Sequence, residues 1–142
     1  MEGGNRGFQT IVAADLVFQL LFWGVPGMLA SSVLANMWNV ILPKDVVFVR
    51  VLGAFSVAWA YLFYETLRDP LKNIGIIRGA VGSHFLVAAA IMYNTLSQGV
   101  TGILSSSART NLFWWVTAIM NVVFACGILL TAPRVSPGEI SR

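Results

Sequence analysis

The sequence predicts an all-α integral membrane protein, a single-domain four-helix bundle with a short interfacial helix between helices 1 and 2. Of 142 residues, 57% are apolar and 11% charged, and the mean hydropathy is +0.76. A soluble core of this size has no room for that apolar surplus. Apolar runs long enough to cross a hydrocarbon layer recur four times along the chain. The break Arg68-Asp69-Pro70-Leu71-Lys72-Asn73 between two of them is short enough to return the third run antiparallel beside the second.

The first span is expected from Phe8 to Ala30. Asp15 interrupts it and the preceding Met1-Glu2-Gly3-Gly4-Asn5-Arg6 is barely basic, which argues against a cleaved signal peptide. Pro26 removes a backbone donor and clashes with the preceding turn, so it should bend or end this helix. From Ser31 to Lys44 the chain is too short to cross, yet Leu34, Met37, Trp38, Ile41 and Leu42 share one helical face. That pattern fits an amphipathic helix lying in the interface; an irregular loop with Trp38 at headgroup level is the alternative. Pro43-Lys44-Asp45 breaks the chain and caps the next helix.

The second span runs from Val46 to Leu67, with Arg50 near its start and Tyr61, Tyr64 and Glu65 near its end. The third runs from Ile74 to Leu96, followed by a Gly-, Ser- and Thr-rich connection from Ser97 to Asn111. Thr110 or Asn111 is placed to cap the fourth, Leu112 to Ala132, which Pro133 stops. The tail from Arg134 to Arg142 is polar.

Charge sets the expected orientation. Arg6, Arg68, Lys72, Arg78, Arg134 and Arg142 fall on the side of the termini, against Lys44, Arg50 and Arg109 on the other. The basic excess places both termini in the cytoplasm, with Trp23, Trp38, Trp114 and Trp115 as an outer aromatic belt. The basic residues are dispersed singly, without the aromatic-laced patch of a nucleic-acid binder, so no nucleic acid is expected as a partner. Cys126 is the sole cysteine, which excludes an intramolecular disulfide and a CxxC redox pair.

Depth along the four helices gathers Asp15, Gln19, Glu65, Arg78, His84 and Asn121 into the inner half of the bundle. An unpaired charge there costs several kcal/mol, so Asp15 needs a partner, and Arg78 is the partner expected. One reading makes this cluster a ligand pocket or proton path. The other makes Asp15 and Arg78 a structural pair, with His84 hydrogen-bonded to a neighbouring helix. The residues specify no cofactor: a second histidine for bis-His haem is absent, and no metal-ligand spacing appears. No catalytic constellation is visible either, since Ser105, Ser106 and Ser107 lack a nucleophile elbow.

Gly75, Gly79 and Ser83 recur every four residues, the small-residue stripe that lets helices approach closely, and Ala54 and Ala58 do the same on the second span. They are expected to face each other inside the bundle; the alternative is an oligomer contact or a docking face for a larger complex.

Arg50-Val51-Leu52-Gly53-Ala54-Phe55, Tyr61 to Glu65 and Arg68-Asp69-Pro70 before a Gly-rich span resemble helices two and three of small four-span bacterial membrane proteins of the DoxX-like kind. The resemblance covers a minor part of the chain. It implies a four-helix bundle in a bacterial inner membrane, an accessory subunit beside redox or quinone enzymes, and no catalytic residues to carry over. Asp15 also stands where small multidrug resistance transporters, which are similar in span number, carry a carboxylate on helix one. That likeness implies proton-coupled exchange by an antiparallel dimer, which the longer connections and the charge bias here oppose.

The leading expectation is therefore a non-enzymatic accessory or interaction subunit in the lipid bilayer, with a membrane-protein partner or a second copy. Its rival is a proton-coupled transporter or lipophilic-ligand-binding bundle built on Asp15, Arg78 and His84.

Overall fold

Long apolar stretches satisfy their backbone polar groups internally, and in the computed structural model every regular element among the described residues is helical. The structure describes residues 6–29, 31–39, 47–97 and 108–133. The elements are α1 (Arg6–Phe18), a π-helical turn (Gln19–Gly24), α2 (Val25–Leu29), α3 (Ser31–Trp38), α4 (Val47–Arg68), α5 (Ile74–Ser97) and α6 (Ala108–Thr131). Among the described residues, three segments, Arg6–Leu29, Ile74–Ser97 and Leu112–Thr131, are long and apolar enough to cross a membrane.

Pro26 does not end the first helix. The run stays helical from α1 into α2, and the accommodation is made one turn earlier, where the backbone widens into the π-helical turn and the Val25 N–H donates to the Leu20 carbonyl. Widening the turn ahead of a proline loosens the backbone where the ring would otherwise meet a tight α-turn. α3 covers the first part of the expected interfacial helix and is followed by Asn39 at φ 53°, the left-handed conformation that commonly closes helices. The apolar face expected on Leu34, Met37, Trp38, Ile41 and Leu42 lies outside the described side chains, as do the Pro43 to Asp45 cap and the tail.

Two boundaries differ from expectation in an informative way. α6 begins at Ala108, so Thr110 and Asn111 fall inside its first turn rather than capping it. Between α4 and α5 the break is held by side chains. Asn73 Nδ2 donates to the carbonyls of Glu65 and Asp69 at 3.0 and 2.9 Å. The Lys72 N–H donates to Asp69 Oδ1 at 3.1 Å, and the Asn73 carbonyl accepts from Ile76 and Ile77. One asparagine thus closes α4 and opens α5, satisfying backbone groups that both helix ends leave over.

The turn does not make α4 and α5 the main packing pair. α4 lies chiefly against α1, the π-helical turn and α2, while α5 lies against α6, and α1 joins the two pairs through α6. The close approach that draws α4 in is made by glycines. A Cβ on Gly53 would stand 2.7 Å from the Met28 nitrogen and 2.9 Å from the Gly24 carbonyl oxygen, and one on Gly27 would stand 3.0 Å from the Gly53 Cα. Backbone here touches backbone, which only glycine permits.

The small-residue stripes expected to pack internally do not. Ala54, Ala58, Gly75 and Gly79 are exposed. A Cβ on Gly75 would meet nothing, and one on Gly79 would meet only the tip of the Trp59 ring at 3.9 Å. α5 spends its buried positions on Ile77, Ala80, His84 and Ala88 instead. Phe8, Val12, Phe63, Ile77, Ala80 and Ile128 form the tightly packed core at the end of the molecule nearest the 69–73 turn. Beyond it, α4 and α5 separate.

Candidate functional site

The site begins with helical spacing. Along the first run as far as Gln19 the buried positions are Phe8, Val12, Asp15 and Gln19, and along α6 they include Phe113, Thr117, Asn121, Phe124 and Ile128. Steps of three and four residues keep each set on one inward face. Asp15 lies nine residues past Arg6, His84 ten past Ile74 and Asn121 ten before Thr131. At 1.5 Å per residue, all three come to about 14–15 Å from the same end of the molecule.

They meet there. His84 Nε2 and Asp15 Oδ2 are 2.7 Å apart, and His84 Nδ1 lies 2.7 Å from Asn121 Oδ1. Asn121 Nδ2 donates to the Thr117 carbonyl at 2.8 Å, which turns its Oδ1 toward the imidazole. His84 Nδ1 therefore carries a proton and donates it to Asn121. A second proton lies between Nε2 and Oδ2, because two lone pairs do not meet at 2.7 Å. Whichever atom holds that proton, the Asp15–His84 pair has no net charge.

Burial makes this neutrality necessary. Asp15 is 0% exposed and His84 3%, and an uncompensated charge at such a depth costs several kcal/mol. The imidazole is held between aromatic rings, with Phe63 stacked on it at 6.2 Å and Phe124 tilted against it at 5.9 Å. Gln19 Nε2 adds a longer contact to Asp15 Oδ1, 3.4 Å.

Two residues expected in the cluster are elsewhere. Arg78 is exposed on α5, and the partner of Asp15 is His84. Six residues separate Arg78 from His84, which turns their side chains about 120° apart around the helix, so α5 cannot present both to Asp15. Depth alone points to an Asp15–Arg78 pair, and depth ignores azimuth. Glu65 sits near the 69–73 turn, 3.6 Å from Arg68 one turn along the same helix. Trp23 and Trp114, expected as interfacial anchors, are half-buried and turn inward.

Where α4 and α5 separate, a cavity of about 350 Å³ opens beside the polar chain. Trp23, Phe55, Trp59, Phe63 and Trp114 line it with aromatic surface, and Gln19, His84 and Asn121 form its polar wall. This volume is at the small end of the range for ligand pockets, and the combination of apolar lining with a few convergent polar groups is what such pockets share. Sequence reasoning overlooked Trp23, Phe55, Trp59 and Trp114 as site residues. Their spacing to Gln19, Phe63 and Asn121 held the signal: Trp23 follows Gln19 by four residues, Phe55, Trp59 and Phe63 step by four, and Trp114 precedes Asn121 by seven. A second, polar hollow lies at the turn, lined by Glu65, Arg68, Asp69 and Lys72 among others. Among the described residues no group of histidine, cysteine and carboxylate side chains could hold a metal ion.

Neither a family model, nor a curated protein, nor a solved structure matches the chain. The site has to be understood from its own chemistry.

Proposed function

We propose that this is a four-span integral membrane protein, with α4 crossing beside the three more apolar segments, that holds a lipophilic small molecule inside the bilayer. The observation that carries the reading is the cavity itself. It is a half-open recess of about 350 Å³ between α4 and α5, where a lipophilic molecule can seat against aromatic walls with a few polar groups to orient it. Its aromatic walls suit a flat, apolar body, and its polar groups converge on one side.

The Asp15–His84–Asn121 chain supports the site by tying α1, α5 and α6 at one level, so that the wall is rigid where the cavity begins. The cavity opens between α4 and α5, which gives a ligand dissolved in the membrane a lateral route. Holding and delivering such a molecule, rather than transforming it, is the task this arrangement supports. The basic excess on the side of the termini favours an orientation with both termini in the cytoplasm.

The test is extraction into polymer-bounded nanodiscs from the expressing membrane, followed by mass spectrometry of the bound lipophiles. A species enriched with the wild-type protein and lost in Ser56→Phe, which fills the cavity from α4, supports the reading. The same lipid profile in both proteins and in empty discs overturns it.

A second reading, as an accessory subunit, is favoured by the open small-residue face of α5, where a Cβ on Gly75 or Gly82 would meet no atom within 4 Å. It predicts a co-purifying chain, or a second copy, that Gly75→Leu releases in gentle detergent. A monodisperse monomer before and after that substitution counts against it.

A further inference from the structure

Resting on the reading of the cavity as a ligand site, we infer that its occupant is a neutral molecule bearing a hydroxyl or amide group, and that Gln19 selects that group. Charge is the first observation. None of the described residues lining the cavity is a lysine, arginine or carboxylate, and Asp15, fully buried behind His84, is matched by it. A ligand ammonium or carboxylate would be stripped of water without an opposite charge to meet it.

The second observation is which polar atoms remain available. The hydroxyls of Ser56, Ser83 and Thr117 donate to the carbonyls of Leu52, Ala80 and Phe113 in their own helices, at 3.1, 2.9 and 2.8 Å. Their protons are spent, and they can only accept. Asn121 Oδ1 is taken by His84, and one of its N–H groups by Thr117. Asn121 keeps one N–H, whereas Gln19 keeps both a donor and an acceptor. Gln19 is 9% exposed, its one described side-chain contact is the 3.4 Å approach to Asp15, and its carbonyl oxygen and second N–H have no partner among the described residues. A buried amide in that condition is costly unless something reaches it.

The occupant that answers both orphaned atoms must donate and accept, which a hydroxyl or an amide does. A ketone or ester would leave the Gln19 oxygen unpaired, and a hydrocarbon would leave both atoms so. The π-helical turn that starts at Gln19 sets the backbone from which this side chain reaches the cavity wall, and π-turns are frequent at functional positions.

Brominated aromatic probes quench tryptophan, and three indoles line the cavity. The experiment compares 6-bromo-2-naphthol, 2-bromo-6-methylnaphthalene and a (6-bromo-2-naphthyl)trimethylammonium salt on the full chain in phosphatidylcholine nanodiscs, with partitioning subtracted using free tryptophan octyl ester in empty discs. The wild-type protein should bind the naphthol about fivefold or more tighter than the methyl analogue, the ratio expected of a desolvated hydrogen bond. Gln19→Leu should bring the naphthol down to the methyl analogue while leaving that analogue unchanged. Equal binding of the two neutral probes by the wild type overturns the inference and leaves the cavity reading standing. Preference for the ammonium probe overturns neutrality, and a naphthol preference that survives Gln19→Leu overturns the role of that residue. Saturable quenching by none of the three refutes the cavity reading itself.

Discussion

Replacing His84 by leucine tests the central polar chain most directly. The imidazole makes two contacts of 2.7 Å, to Asp15 on α1 and to Asn121 on α6. Asp15 is 0% exposed and Gln19 approaches it only at 3.4 Å, so no water or headgroup replaces what is lost. Leaving one member of a buried charged pair without its partner costs about 3–5 kcal/mol, and the orphaned Asn121 oxygen adds about 1 kcal/mol. Relaxation of the helices returns part of this, which puts the expected loss for His84→Leu at about 3–4 kcal/mol. Asp15→Leu alone should cost less, about 2 kcal/mol, because a neutral imidazole keeps Asn121 as a partner. The double variant removes both ends of the contact and should fall well short of the sum, with a coupling of about 2 kcal/mol. Equilibrium unfolding in bicelles, followed by tryptophan fluorescence and far-UV circular dichroism, measures all four corners of the cycle. Single variants within about 0.5 kcal/mol of wild type, or strictly additive costs, would refute the claim that this contact ties the helices together. Arg78→Leu in the same assay should move stability by less than about 0.5 kcal/mol, as expected for an exposed residue outside the network.

Other consequences follow from the packing. Gly53→Ala places a methyl group within 2.7 Å of the Met28 backbone and should cost about 1–3 kcal/mol by forcing α4 off the first helical run; Gly75→Ala, set in open space, should cost almost nothing in the same unfolding assay. Asn73→Ala removes two hydrogen bonds to the end of α4 and should cost about 1 kcal/mol, with faster amide exchange confined to residues near the 69–73 turn. Trp59→Ala, by removing a ring stacked on Phe63 at 5.7 Å, should enlarge the cavity and change the size of lipophile retained, read by mass spectrometry of the extracted protein. An unchanged lipophile profile would detach Trp59 from the site.

How much of this was legible beforehand can be judged residue by residue. The helical spans, the 68–73 break and the polarity of Asp15, Gln19, His84 and Asn121 at similar depth all follow from composition and the 1.5 Å rise, quantities local to each helix. The spacing of Phe8, Val12, Asp15 and Gln19 also turns the carboxylate inward, a matter of azimuth rather than of depth. The same arithmetic sets Arg78 and His84 about 120° apart around α5, so only one of them can face Asp15.

The rest required the helices to be placed against one another. Small-residue stripes are alike on paper, and which of them packs depends on crossing geometry: Gly24, Gly27 and Gly53 bring backbones together, while Gly75 and Gly79 are left open. Sequence by itself determined that this chain is helical, apolar and furnished with a few expensive polar groups, because those properties are sums over neighbours along the chain. Only the tertiary structure decided that Asp15 meets His84, that α4 and α5 separate beyond their turn, and that aromatic rings from separate helices line a half-open space with Gln19 on its wall. Contacts between helices depend on the relative rotation of whole elements, a quantity that no single segment of the sequence carries.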